Sequence, residues 1–152
     1  MKTILWRGVA FNSLEYFNIQ EKQDHHIVVS RIIGYYQEKI YSATYQLTIN
    51  KQWEIEEFFI DSEVIDISLT PFTNTLPINN LQLKIGDSKE IDIIYIDLIN
   101  NQITPVRQRY TRTDFNEYLY ENIVSDFTVH IQVDENGLVL NYPGLFEKIA
   151  GN

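Results

Sequence analysis

Phe127-Thr128-Val129-His130-Ile131-Gln132-Val133 is followed by Asp134-Glu135-Asn136-Gly137 and then by Leu138-Val139-Leu140. Apolar and polar residues alternate up to Val133, which is typical of a half-buried β-strand. The next four residues end in Asn-Gly, and glycine adopts a positive φ without the steric cost that a Cβ atom brings. This stretch therefore predicts an antiparallel hairpin.

The same alternation recurs along the chain, and no long helical period accompanies it. It predicts strands over residues 3–8, 14–19, 27–33, 39–49, 53–60, 64–69, 91–98, 106–112, 117–121, 127–133 and 138–141. Many short strands with regular turns are typical of barrels and sandwiches. We predict an all-β protein, a single strongly curved antiparallel sheet or barrel of roughly ten to twelve strands. Residues 1–152 are expected to form one barrel-like domain.

Two segments depart from the alternation. Residues 70–80 contain Pro71 and Pro77, which remove backbone donors and favour an extended preceding residue, so we predict a structured crossing loop. Residues 142–150 contain Pro143 and are compatible with a final short strand or with one helical turn. The sequence does not decide between these two.

Two of the predicted strands differ in how their faces are covered. The strand from Lys39 to Ile49 has one apolar face, formed by Tyr41, Ala43, Tyr45, Leu47 and Ile49. The strand from Ile91 to Leu98 is apolar on both faces and should be covered twice. Either protein packs outside this second strand or a ligand packs inside it.

Composition excludes several classes of partner. The 152 residues hold 12 Lys and Arg against 21 Asp and Glu, a net charge of -9, and no cysteine. This charge repels phosphate backbones and anionic membrane surfaces, so we expect no nucleic-acid partner. No apolar run reaches the length of a signal-peptide core or of a membrane span. We expect a cytoplasmic protein without stable membrane insertion.

The residues that carry chemistry do not form a recognisable catalytic or metal site. His25 and His26 are adjacent on an extended segment and point to opposite faces, and His130 stands alone on a polar strand face. The acidic residues between 54 and 66 have the spacing of solvated strand faces, and no nucleophile or phosphate-binding motif occurs. We therefore expect no metal, no cofactor, no catalytic residues and no enzymatic activity.

Arginines on two predicted strands leave alternatives open. Arg107 and Arg109 share one face, where they either pair with acidic residues of a neighbouring strand or contact an anion of the ligand. Arg7 and Trp6 must point to opposite faces of their strand. We expect Arg7 to point into a polar-lined interior and Trp6 to pack outside.

Several blocks of sequence together resemble one known family. They are Leu5-Trp6-Arg7, Thr73-Asn74-Thr75-Leu76-Pro77-Ile78, Gln108-Arg109-Tyr110-Thr111-Arg112, Tyr118-Leu119-Tyr120-Glu121, Val133-Asp134 with Gly137-Leu138-Val139, and Tyr142-Pro143-Gly144-Leu145. The set resembles the bacterial family labelled "putative glycolipid-binding", formerly a domain of unknown function. The resemblance implies an all-β, barrel-like fold similar to the LolA and LolB lipoprotein carriers, whose curved sheet holds acyl chains.

The resemblance also implies which residues contact a ligand. The candidates are Trp6, Arg7, Gln108, Tyr110, Tyr120 and Tyr142, because amphipathic rings and a guanidinium group suit a ligand with a sugar and an acyl chain. The expected function is non-enzymatic binding of an amphipathic small molecule, such as a glycolipid, inside the curved sheet. The alternative is a structural or protein-interaction module with a packed interior, which pairs through a sheet edge, for example as a homodimer.

Overall fold

The structure, a computed structural model, describes residues 1–36, 39–62, 70–97 and 102–151. Within these ranges the chain forms eleven strands and one helix. In chain order they are β1 (Lys2–Gly8), β2 (Ser13–Glu21), β3 (His25–Tyr36), β4 (Lys39–Asn50), β5 (Ile55–Ser62), α1 (Phe72–Leu81), β6 (Ser88–Asp97), β7 (Gln102–Asp114), β8 (Glu117–Asn122), β9 (Phe127–Val133), β10 (Val139–Tyr142) and β11 (Phe146–Gly151).

All the described strands belong to one antiparallel sheet. Its order is β5-β4-β3-β2-β1-β11-β10-β9-β8-β7-β6, so the pairing of β1 with β11 joins two meanders. Residues of β5 and β6, the two ends of this order, line a single cavity, which requires strong curvature. The prediction of one curved all-β sheet is confirmed, and among the described residues β5 and β6 do not pair, so this sheet is not closed into a barrel.

The hairpin predicted from the opening stretch is confirmed. Val133 of β9 pairs with Val139 of β10, and Gly137 between them has a φ of 73°. The Asp134 carboxylate accepts hydrogen bonds from the backbone N–H groups of Asn136 and Leu138, at 2.9 and 3.0 Å. A positive φ favours glycine, and an aspartate side chain satisfies the turn amides, so the local sequence is sufficient to place this turn.

We call the side of the sheet that carries Trp6, Tyr45 and Tyr110 the inner face and the opposite side the outer face. The inner face holds two apolar clusters, one from β1–β4 and one from β7–β11. Phe72 of α1 belongs to the first cluster, and Ile78 of the same helix belongs to the second. The helix therefore lies across the inner face and ties the two halves of the sheet together.

The segment predicted as a crossing loop is the helix α1, so that prediction is wrong. Pro71 precedes the helix with a φ of -74°, which suits a helix start, while Pro77 lies inside it and removes one intrahelical hydrogen bond. Phe72, Thr75 and Ile78, spaced by three residues, are buried along one side. Burial of this side against both clusters offsets the cost of the internal proline.

The remaining predictions about elements have separate outcomes. The undecided carboxyl-terminal segment is a strand, β11, which pairs with both β1 and β10. The apolar side of β4 is buried at Ala43, Tyr45, Leu47 and Ile49, whereas the Tyr41 side chain lies outside the described residues. The strand predicted over residues 64–69 also lies outside them. No helix in the described ranges is long and apolar enough to cross a membrane.

Candidate functional site

A cavity of about 1000 Å³ lies between α1 and the inner face of the sheet. Most of its wall is aromatic or aliphatic: Phe11, Trp53, Ile55, Phe58, Leu76, Pro77, Leu81, Ile91, Ile93, Phe127, Leu145 and Phe146. The other lining residues bear polar groups: Glu54, Thr70, Thr73, Asn74, Asn80, Gln108, Asn122 and Ser125, and the tyrosines Tyr95, Tyr110, Tyr120 and Tyr142. A largely apolar wall with a limited number of polar groups is typical of a small-molecule site.

The helix supplies one side of this wall. Thr73, Leu76, Pro77 and Asn80 have the spacing i, i+3, i+4 and i+7, which places them on one helical stripe. This stripe is opposite the side that packs on the sheet. One side of α1 therefore packs in the core, and the other side lines the cavity.

The strand that is apolar on both faces in the sequence contributes its inner residues to the cavity. Ile91, Ile93 and Tyr95 of β6 all line it. The opposite face of this strand includes Ile94 and Ile96, whose side chains lie outside the described residues. The inner side of this strand therefore borders the cavity, while the explanation that protein packs on its outer side depends on residues outside the described ranges.

Four of the six predicted ligand-contact residues lie together at the cavity, namely Gln108, Tyr110, Tyr120 and Tyr142. All four are buried, with 1 to 6% of their surface exposed. The Tyr110 hydroxyl is 2.9 Å from the Asn74 side-chain oxygen and 3.2 Å from that of Gln108. This hydroxyl links β7 to the helix at the cavity wall.

The tyrosines of this group are held in their protonated form. Burial raises the pKa of Tyr120 to about 12, and it also raises the pKa values of Tyr110 and Tyr142 well above the ordinary value for a phenol. Their rings also contact one another edge to face, with Tyr120 5.3 Å from Tyr110 and 6.0 Å from Tyr142 between centroids. The group therefore presents rigid, neutral rings whose hydroxyls can donate hydrogen bonds.

Trp6 and Arg7 have the opposite orientation to the one predicted. Trp6 is fully buried on the inner face, where its indole N–H donates to the Val139 carbonyl oxygen at 2.8 Å. Arg7 points outward and pairs with Glu147 of β11 at 3.0 Å. Burial of the large ring with its N–H satisfied is favourable, whereas a buried guanidinium would need a compensating charge, so the tryptophan takes the inner position. Neither residue lines the cavity.

Arg107 and Arg109 also lie outside the cavity, which corrects their prediction as contacts for an anion in the interior. Gln108 and Tyr110 occupy the inner positions of β7, so strand alternation directs the two arginines outward. Arg107 pairs with Asp92 at 2.9 Å, and Arg109 pairs with Glu90 and Glu121. The alternative of cross-strand pairing is the arrangement found.

A buried carboxyl group on the inner face was not identified from the sequence. Glu15 of β2 is 2% exposed, and its Oε1 accepts hydrogen bonds from the hydroxyls of Ser30, Tyr45 and Thr70 at 2.7 to 2.9 Å. Burial raises its pKa from 4.5 to about 7. The sequence feature that could have identified it is the alternation of β2. Glu15 is two residues from Ser13 and two from Phe17, so it shares their inward-facing side of the strand.

The described residues contain no cluster of metal-ligating side chains. Among the described residues, no three His, Cys, Asp or Glu side chains are grouped closely enough to hold a metal ion. Glu54 is the charged residue of the described cavity lining. The arrangement can therefore bind a ligand through apolar contact and neutral hydrogen-bonding groups.

Comparison with known proteins places this fold and cavity in a family. A family model described as "Putative glycolipid-binding" matches residues 57–148. The chain belongs to this family. A crystal structure of a DUF1089 family protein from Pseudomonas aeruginosa is 30% identical to the chain, with a TM-score of 0.74 over 89% of this chain and 92% of that one. No protein of curated function matches the chain.

The family match covers most of the predicted ligand contacts. Gln108, Tyr110, Tyr120 and Tyr142, with the helix α1, all fall inside residues 57–148. Trp6 and Arg7 fall outside this range. The matched part of the chain therefore includes most of the cavity wall, although β1–β4 complete the sheet on which it is built.

Proposed function

We propose that the chain binds an amphipathic ligand, a glycolipid or another lipid, in the cavity between α1 and the inner face, without transforming it. The observation that carries this proposal is the cavity of about 1000 Å³ with its largely apolar wall. Sites for small molecules typically enclose roughly 300–1,000 Å³ and combine apolar walls with a few polar groups. The description of the family, "Putative glycolipid-binding", supports the same class of ligand.

The alternative function, a structural or interaction module that pairs through a sheet edge, requires a solidly packed interior. The cavity of about 1000 Å³ does not favour this alternative, because the interior is not solidly packed there. Self-association is tested separately, because β5 and β6 are the edge strands of the described sheet and edge strands can pair with a second chain. Sedimentation equilibrium that shows a monomer at every accessible protein concentration would contradict a homodimer.

The proposed function is tested with N-phenylnaphthylamine, an uncharged dye whose emission rises in apolar surroundings. We expect saturable binding of the dye by the purified full chain, with displacement by an alkyl glycoside below its micellar concentration. Native mass spectrometry of protein prepared without detergent adds a search for a co-purified lipid. No saturable dye binding together with no co-purified lipid would overturn the proposal.

A pair of matched variants locates the binding. Ile93→Trp places a large ring at the cavity wall, whereas Ile33→Trp places the same ring on the outer face, where Ile33 is 49% exposed. We expect Ile93→Trp to weaken dye binding by about tenfold or more, equivalent to roughly 1.4 kcal/mol. Ile33→Trp should bind like the wild type. Equal effects of the two substitutions would mean that the dye binds elsewhere.

A further inference from the structure

The described lining of the cavity contains one charged residue and no Lys or Arg. Of the 24 described residues that line it, Glu54 alone is charged. The chain contains 12 Lys and Arg residues, and 11 of them have described side chains. None of these 11 lines the cavity. The twelfth is Lys39, whose side chain lies outside the described residues. The undescribed ranges 37–38, 63–69 and 98–101 contain no Lys or Arg.

The described cations lie elsewhere, several of them paired with carboxylates. Arg7, Arg107 and Arg109 form ion pairs on the outer face. Lys2 pairs with Asp134, and Lys51 pairs with Glu21. An anion that entered the cavity would lose hydration without gaining a cationic partner among the described residues, and such a transfer is unfavourable.

Neutral hydrogen-bonding groups are nevertheless available deep in the cavity. Gln108 and Tyr142 are each 5% exposed and line it. The Gln108 side-chain oxygen accepts from Tyr110, but its amide nitrogen has no acceptor among the described residues. The Tyr142 hydroxyl likewise has no hydrogen-bond partner in the described ranges. These groups are suited to ligand hydroxyls, which can both donate and accept.

We propose that the ligand carries an uncharged, hydroxyl-bearing headgroup that enters the cavity, and that amphiphiles with ionised anionic headgroups are excluded. This inference rests on the proposed function and specifies its ligand. Gln108 and Tyr142 supply hydrogen bonds to the headgroup, and the aromatic and aliphatic wall contacts the chain. Glu54 adds a repulsive interaction with any carboxylate or phosphate.

The test compares three amphiphiles that share a dodecyl chain: dodecyl glucoside, dodecanoate and dodecyltrimethylammonium. Each is titrated, below its micellar concentration, into the full chain loaded with N-phenylnaphthylamine, at a pH where dodecanoate is ionised, and its affinity is measured by displacement of the dye. We expect dodecyl glucoside to bind about tenfold or more tightly than dodecanoate. Equal or tighter binding of dodecanoate would overturn the exclusion of anions. Tighter binding of the trimethylammonium compound than of the glucoside would overturn the preference for a hydroxyl-bearing headgroup.

A variant that supplies the missing cation sharpens the test. Asn122→Lys introduces an ammonium group at the cavity wall, whereas Thr128→Lys makes the same change of net charge at an exposed position of β9 outside the cavity lining. We expect Asn122→Lys to raise the affinity for dodecanoate several-fold relative to the glucoside, with no such change in Thr128→Lys. If both variants shift alike, the preference reflects overall charge and the inference fails. If neither the dye nor any of the three amphiphiles binds the wild type, the proposed function itself fails.

Discussion

The Tyr45 hydroxyl donates a hydrogen bond to Glu15 Oε1 at 2.7 Å, between two strands that are separated in the sheet by β3. Ser30 of β3 and Thr70, which precedes α1, donate to the same oxygen. Thr70 also lines the cavity. The carboxyl group of Glu15 therefore connects three strands of the sheet to the start of the helix that covers the site.

The buried Glu15 carboxyl group should make stability depend on pH. Burial raises its folded-state pKa from 4.5 to about 7, so the folded protein binds more protons than the unfolded chain between these values. The contribution of Glu15 to stability is therefore fully present below about pH 4.5 and is lost as the pH rises through about 7. Glu15→Gln removes the titration. Its free energy of unfolding should rise relative to the wild type by on the order of 2 kcal/mol between about pH 5 and pH 8.

Urea unfolding of wild type and Glu15→Gln across this pH range measures the difference. Glu56→Gln is a suitable control, because Glu56 is an exposed carboxylate on β5. This control should follow the wild-type curve at every pH. A stability difference between Glu15→Gln and wild type that stays constant with pH would show that Glu15 does not titrate as described.

Tyr110→Phe tests the link between β7 and the helix. The substitution removes the hydroxyl that contacts the side-chain oxygens of Asn74 and Gln108. We expect a loss of on the order of 1 kcal/mol in the free energy of unfolding, with faster amide exchange in α1. Tyr16→Phe, at a residue 55% exposed on the outer face, should change neither quantity. Equal behaviour of the two variants would mean that the hydroxyl does not hold the helix.

The strand pattern was predictable because alternation is a local property of sequence. Alternation with Arg107 and Arg109 puts Gln108 and Tyr110 together on the other face of β7, and the structure places both at the cavity. The helix was missed because two prolines favoured a loop. In addition, α1 is covered by protein on one side and borders the cavity on the other, so its sequence lacks the single apolar stripe that marks a surface helix.

Alternation shows that two neighbouring residues face opposite ways, but it does not show which of them faces the core. For Trp6 and Arg7 the choice depends on partners that are distant in the sequence, the Val139 carbonyl and the Glu147 carboxylate. The Glu147 carboxylate is on β11, which lies next to β1 in the sheet, and the Val139 carbonyl is on β10, which lies next to β11. Both are therefore brought near β1 by the pairing of β1 with β11. A single sequence carries no local signal for this junction.

Trp6→Phe tests the inner position of the tryptophan. The variant loses the hydrogen bond to the Val139 carbonyl and leaves unfilled volume beside Phe17, whose ring centroid is 4.8 Å from that of Trp6. We expect it to lower the free energy of unfolding by on the order of 2 kcal/mol. Since Trp6 does not line the cavity, dye affinity under conditions where the variant is folded should match the wild type. A large loss of affinity in the folded variant would instead make Trp6 part of the site.

Arg7→Ala tests the outer position of its neighbour. The Arg7 side chain is 56% exposed and the Glu147 side chain with which it pairs is 44% exposed, and exposed pairs of this kind contribute little because water and salt screen them. We expect a change of less than about 0.5 kcal/mol in the free energy of unfolding and no change in ligand affinity. Glu147→Ala should behave in the same way, and the double variant should equal the sum of the two. A loss of on the order of 3 kcal/mol in Arg7→Ala would reveal a buried, charge-compensating arginine and would contradict the orientation of β1 found here.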